Sequence, residues 1–227
     1  MKKKFGTVFF SGRKNCTYSK KIKIFLKKRC SKLYYLDSNK IGEKLPKNIT
    51  KRKFDYLFLF RSYFIIEKKF LKKIKNAAIN FHPSPPKYRG AGGVNYAIYN
   101  QDNFFGSTAH LIDEKIDNGK IINFAKFKIS KNITIKEILD KTYKISVKQA
   151  FLIISQILKN HYNLEIMIKK NKNNKWSKKF YSIKKLDKFY QIDTNIKRKD
   201  LLRKIKSTRI SKFKPYILLH GKKFILE

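Results

Sequence analysis

The chain is short of cysteine, of acid and of arginine, and each shortage excludes something. Two cysteines, Cys16 and Cys30, are too few to staple a fold or to fill a four-ligand zinc site, so they read as ordinary thiols in a reducing cytoplasm. No stretch approaches the roughly 18 apolar residues of a membrane span. The start, Met1-Lys2-Lys3-Lys4 followed by Phe5 to Phe10, imitates a signal peptide, but its apolar run is short and is broken by Ser11, Gly12, Arg13 and Lys14. The expectation is a cytoplasmic chain with no membrane span. Only 15 residues are acidic against 56 basic, for a net charge of +41. Taken alone, that charge suits nucleic acid or an anionic membrane. Arginine, whose planar fork suits phosphates and bases, makes up only 8 of the 56. The rest is lysine, in company with abundant Ile, Asn, Phe and Tyr, the residues of AT-rich codons. The charge therefore reads as a solvated surface and names no partner.

What the chain does have is a core. Hydrophobic residues make up 42% and aromatics 15% of its 227 residues, which excludes intrinsic disorder and fits one domain with a small appendage. Phe5–Phe10, Leu33–Leu36, Tyr56–Phe60 and Ala77–Phe81 read as short buried strands. Helical patterns over Tyr18–Arg29 and Glu67–Lys75 lie between them, the second with Phe70, Leu71 and Ile74 inward. Strands separated by helices predict an α/β fold, a Rossmann-like open and mostly parallel sheet flanked by helices. Residues 83–93, with three prolines and three glycines, are a loop, and Val94–Asn100 follows as a short helix. Ser107–Ile112 and Lys120–Lys128 read as two strands around a turn. Thr134–Lys159 is the longest helix, opened by a capping box of Thr134 and Glu137. Residues 1–160 thus read as the main, Rossmann-like domain and 161–227 as a small C-terminal region, ending in a hairpin of Tyr216–Leu219 and Lys223–Leu226 around His220-Gly221.

Two segments carry candidate chemistry. In Ala78-Ile79-Asn80-Phe81-His82-Pro83, Asn80 and His82 are two apart on an extended strand, so both point to the same side while Phe81 packs the other way. Pro83 stops the strand and leaves His82 at its carboxyl end, where ligands bind in open α/β sheets. His110, His161 and His220 have no such setting and read as structural or surface residues. Asp117-Asn118-Gly119 is a good hairpin turn, and its carboxylate could equally orient a histidine or accept its proton. Metal-ligand spacing is absent.

Together and in this order, the two segments resemble the formyltransferases that use 10-formyltetrahydrofolate, a family that includes methionyl-tRNA, glycinamide ribonucleotide and sugar N-formyltransferases. The resemblance covers roughly residues 54–128. It lies in Asn80-x-His82-x-Ser84, in Lys87-Tyr88-Arg89-Gly90, in Asp117-x-Gly119 and in the strand entry Gly106-Ser107-Thr108. It implies formyl transfer from the folate to an amine, with Asn80 and a protonated His82 stabilising the oxygen and Asp117 holding that proton and helping to deprotonate the amine. It places the pterin at Ser62, Tyr63, Ser84, Pro85 and Pro86, and puts Lys87 and Arg89 where a phosphorylated acceptor could dock. The loop Ser84-Pro85-Pro86 is one residue shorter than the family's common Ser-Leu-Leu-Pro and looks like the sugar-type branch. About fifty residues follow Trp176, thin for the β-barrel of methionyl-tRNA enzymes. The implied acceptor is therefore an amino-sugar nucleotide, with initiator tRNA as the alternative and a non-catalytic folate- or RNA-binding module as a third reading. The sequence leaves the oligomeric state open, a homodimer included.

Overall fold

The computed structural model describes residues 4–160, 164–209 and 214–226. Six strands form one sheet: β1 (Phe5–Arg13), β2 (Cys30–Ser38), β3 (Phe54–Phe60), β4 (Ile74–His82), β5 (Phe104–Leu111) and β6 (Ile121–Lys128). Their spatial order is β2-β1-β3-β4-β5-β6. The first four run parallel, and β5 and β6 add antiparallel to β4 and to each other. The expected Rossmann-like α/β architecture is what the chain forms.

Side-chain alternation explains the two covered faces. Val8 and Phe10, Phe58 and Phe60, and Ile79 and Phe81 pack on one face against α1 (Thr17–Lys27) and α3 (Ile135–Asn160). Phe9, Leu57 and Leu59 turn to the other face, where Ile49 and Phe70 meet them. The helix α2 (Gly93–Tyr99) lies between them in sequence, after the proline- and glycine-rich loop. The capping box that opens α3 is present: Thr134 N–H donates to Glu137 Oε2 at 2.8 Å, and Glu137 N–H donates to Thr134 Oγ1 at 3.2 Å.

The expected helix over Glu67–Lys75 is only the single turn Lys68–Leu71, and Ile74 already opens β4 opposite Phe54. The spacing of Phe70, Leu71 and Ile74 suits either outcome, and pairing with β3 decides it. The C-terminal region carries α4 (Leu164–Lys170), α5 (Ile183–Tyr190), α6 (Arg198–Thr208) and a hairpin of β7 (Tyr216–Leu219) and β8 (Lys222–Ile225). His220 and Gly221 both take positive φ, 47° and 74°, the geometry of a two-residue hairpin turn. His161 lies outside the described residues. Among those described, no helix is long and apolar enough to cross a membrane.

Candidate active site

Four elements converge at the carboxyl end of β4. Asn80 and His82 emerge from the strand on the side shared with Ala78, and the antiparallel register of β5 sets His110 directly opposite Asn80. Asp117 comes from the loop between β5 and β6. That loop is wider than the two-residue turn its sequence suggests: Leu111 N–H closes it on Lys120 O at 2.9 Å, and Asp117 sits in a left-handed conformation at φ 46°. Gly119 lies so close beneath Leu111 that a Cβ there would stand 1.8 Å from its carbonyl oxygen. The close approach turns the Asp117 carboxylate inward, to 7% exposure.

The carboxylate is the hub of the site. Oδ2 lies 3.3 Å from His82 Nδ1 and accepts from the Gly90 N–H at 3.0 Å. Oδ1 lies 3.4 Å from His110 Nε2 and accepts from Asn80 Nδ2 at 3.3 Å. The Asn80 amide also stands 3.1 Å from His110 Nε2. His110 Nδ1 lies 2.7 Å from Leu111 O, an acceptor only, so Nδ1 carries a proton. His82 differs. Its Nε2 faces the Tyr88 carbonyl at 3.1 Å and its Nδ1 faces Asp117, so both nitrogens look at acceptors. A neutral ring would oppose two lone pairs at one of these contacts. Both are satisfied only with a proton between His82 and Asp117.

The electrostatics pull in opposite directions. Burial, the largest influence on His82, pushes its imidazole below the ordinary value, and Asp117 pulls it back. Burial would raise Asp117, yet His82, His110 and the Gly90 N–H together bring it down to about 2. The carboxylate is therefore the settled anion of the site. The proton on His82 is held by geometry against burial, a poised arrangement suited to proton transfer.

The reading of His110 as structural or surface is corrected: its ring is 2% exposed and belongs to this cluster. A second residue without a role in the sequence reading is Trp176. Its indole N–H donates to Gly119 O at 2.7 Å, and its ring stands edge-on to His110 and His82, with centroids 5.0 and 5.9 Å away. The C-terminal region thus roofs a site built by the sheet.

The other expected contacts divide. Ser62 and Tyr63 are half-buried just past β3. The Ser62 hydroxyl lies 2.9 Å from that of Ser11, and the Tyr63 N–H is held by Ser38 Oγ. Ser84, Pro85 and Pro86 are buried, tied down through Thr108 Oγ1 to Ser84 O and Ser177 N–H to Pro86 O. Among the described residues, Ser84 Oγ has no partner. Lys87 and Arg89 are occupied within the protein. Lys87 pairs with Asp102 at 2.6 Å, and Arg89 donates to the carbonyls of Asp117, Ile116 and Ser177. Arg89 thereby rivets the Asp117 loop to the C-terminal region. Among the described residues, no group of three or more His, Cys, Asp or Glu is placed to hold a metal ion.

Known proteins can be set beside this geometry. The chain is 35% identical over 106 residues to the methionyl-tRNA formyltransferase of Finegoldia magna, which covers 42% of this chain and 34% of that one. It spans about a third or less of the length of the first curated relatives it matches. In fold it resembles a 4-N formyltransferase from Francisella tularensis, with a TM-score of 0.74 at 20% identity over 97% of this chain and 96% of that one. An N-formyltransferase from Helicobacter canadensis, in complex with folinic acid and dTDP-3-aminofucose, is similar at TM-score 0.67 and 18% identity, over 95% of this chain and 85% of that one. Residues 12–154 match the formyl transferase family, and with Asn80, His82 and Asp117 gathered inside that span, the chain belongs to it.

Proposed function

We propose that this chain transfers a formyl group from 10-formyltetrahydrofolate to an amine on a nucleotide-linked sugar. The observation that carries the reading is the meeting of Asn80, His82 and Asp117 at the carboxyl edge of β4. The folate supplies an activated formyl group. As the amine nitrogen bonds to the formyl carbon, the formyl oxygen takes up negative charge. Asn80 has two amide N–H groups, and the one not given to Asp117 can donate to that oxygen. The proton held by His82 supplies a second donor once it swings from Asp117 or Tyr88. One such preorganised donor lowers the barrier by about 2.7–4 kcal/mol. The Asp117 carboxylate accepts the amine's proton directly or through water and passes it by way of His82 to the departing N10. His110 fixes the Asn80 amide and so acts as a positioning residue.

The pterin is proposed to rest against the backbone at Ser62 and Tyr63. Ser84 fits a place beside it, since its buried, unpartnered hydroxyl is a group that a polar ligand would satisfy. Pro85 and Pro86, covered by the C-terminal region, shape the wall. The sugar-nucleotide acceptor is supported by likeness over nearly the whole length of the Francisella enzyme and by the amino-sugar nucleotide in the Helicobacter structure. The likeness to methionyl-tRNA formyltransferases stops at about a third of their length. Their sequence identity and the charge of +41 keep initiator tRNA as the second reading. Folate-dependent formylation of a panel holding charged initiator tRNA and several amino-sugar nucleotides tests both. Formylation of the tRNA alone overturns the acceptor, and no formylation of any amine overturns the enzyme.

A further inference from the structure

Arg13 and Arg61 take no part in the site described above. Arg13 ends β1 and Arg61 follows β3 by one residue. The register that pairs Ser11 with Leu59 sets these two arginines level with each other. Phe60 pairs with Phe81 on the other side, so Arg61 is also level with His82. The three residues form a row along the carboxyl edge of three neighbouring strands. At about 4.8 Å per strand, the backbone of Arg13 lies about 10 Å from that of His82.

Each guanidinium lies over a ring, Arg13 over Tyr63 at 4.1 Å and Arg61 over Tyr143 at 3.7 Å from the centroid. The rings hold the faces of the two forks and leave their edges of N–H donors. Arg61 Nη1 donates to Cys16 Sγ at 3.2 Å. Among the described residues, the Nε atoms of both arginines are sealed from water and meet no partner. Among the described residues, neither has a carboxylate within ion-pair reach. Burial, and then the neighbouring Arg61, push Arg13 below its ordinary value, so the two charges work against each other. Paired like charges with sealed, idle donors are costly unless an anion completes them.

We propose that Arg13 and Arg61 form the seat for the diphosphate of a nucleoside-diphosphate-linked amino sugar, a proposal that rests on the acceptor reading above. Two adjacent guanidinium forks match the non-bridging oxygens of a diphosphate better than lysines do. The row then sets the sugar between the arginines and His82. The Cys16 sulfur, held by Arg61 and by the Ser19 N–H, stands where a phosphate oxygen would accept. Burial would raise this thiol, but Ser19 and Arg61 bring it below its ordinary value, which makes it a reporter on Arg61.

The test uses the whole chain and inorganic pyrophosphate. The rate at which iodoacetamide alkylates Cys16 is followed by peptide mass, with buried Cys30 as the internal reference. Pyrophosphate is expected to draw Arg61 off the sulfur and to slow Cys16 alkylation in a saturable way. The R13Q variant, which keeps Arg61 as the reporter, should need at least about tenfold more pyrophosphate for the same protection. If that variant loses its fold, R13K, which keeps the charge and removes the fork, should weaken protection in the same direction. A K51Q/K53Q variant, lacking two exposed lysines at the amino edge of the sheet, should match the wild type. Equal weakening in K51Q/K53Q would mean diffuse attraction to a basic surface and would overturn the seat. Stronger protection by triglutamate than by pyrophosphate would assign the pair to the folate tail and overturn it too. Pyrophosphate protection without formylation of any amino-sugar nucleotide would sink the acceptor reading and leave the diphosphate seat standing. Unchanged sugar-nucleotide KM in R13Q/R61Q would do the reverse.

Discussion

Asp117→Asn changes one atom and touches every contact of the site. Oδ2 accepts from Gly90 N–H and faces His82, while Oδ1 accepts from Asn80 and faces His110. A carboxamide cannot keep its NH2 at Oδ2, where it would oppose the Gly90 N–H. At Oδ1 it would face the Asn80 NH2 and turn that amide away. The fold should therefore survive, with the Asn80 donor misplaced and the proton of His82 released. Turnover of the amine should fall by about 10²–10⁴ with KM nearly unchanged, the signature of a group that acts in the transition state. The stability change follows from titration. Asp117 sits at about 2 in the folded protein against an ordinary 3.8, so the unfolded chain takes up the proton first. The carboxylate's contribution is complete above about pH 4 and is lost as pH falls through about 2. It amounts to about 2 kcal/mol. Chemical denaturation of wild type and D117N at pH 7 and pH 3 reads this directly, since the gap between them should narrow on acidification. Turnover within tenfold of wild type, or a gap that widens in acid, would refute the role of the carboxylate.

His110→Leu keeps the volume of the ring but leaves the Leu111 carbonyl without its partner and the Asn80 amide without the ring beside it; a loss of about 1–3 kcal/mol in a denaturant melt and a kcat lowered more than KM are expected. Trp176→Phe keeps an aromatic roof and removes the donor to Gly119 O, which should cost about 1 kcal/mol by thermal melting and raise KM for the substrates the roof covers. Gly119→Ala and Gly221→Ala should separate steric from conformational cost. The first drives a Cβ into the Leu111 carbonyl and should unseat Asp117 and abolish turnover, whereas the second meets nothing within 4 Å and should cost only about 1 kcal/mol for its positive φ, with activity intact.

The parts of this molecule legible in its sequence are those fixed by local pattern. Asn80 and His82 could be placed on one side of one strand because the two-residue repeat needs no tertiary knowledge, and Pro83 marked where that strand ends. His110 could not be placed. It joins the site only through the antiparallel register of β5 on β4, which lies in no local pattern, although its parity with Thr108, opposite His82, is a usable signal. The Asp117 segment misled for a related reason. Its turn residues are real, but the turn is spread over a loop that Leu111, Gly119 and Arg89 hold in an inward-facing form. Trp176, more than fifty residues from Asp117 in sequence, reaches the site because Tyr181 pairs beside Gly90 and Ser177 bonds to Pro86.

The uneven use of the two basic residues becomes intelligible in the fold. Arg29, Arg52, Arg89 and Arg203 each donate to backbone carbonyls, at 3.1, 3.1, 2.7 and 2.6 Å for their nearest contacts. Such carbonyls sit in helical turns and loops, where a planar fork presents several donors at once, as Arg89 does to three carbonyls. A few lysines, such as Lys73 and Lys185, also reach a carbonyl, but others stand where charge alone suffices, as at exposed Lys51 and Lys53 or in the pair of Lys144 with Asp140. In a chain so sparing of arginine, one placed in a partly buried position without a carbonyl or a carboxylate to grip is out of pattern. Among the described residues, Arg13 and Arg61 are so placed, side by side and in line with the histidine of the site. Their idle donors are better explained by an anion that arrives with the substrate than by the composition that supplied the lysines.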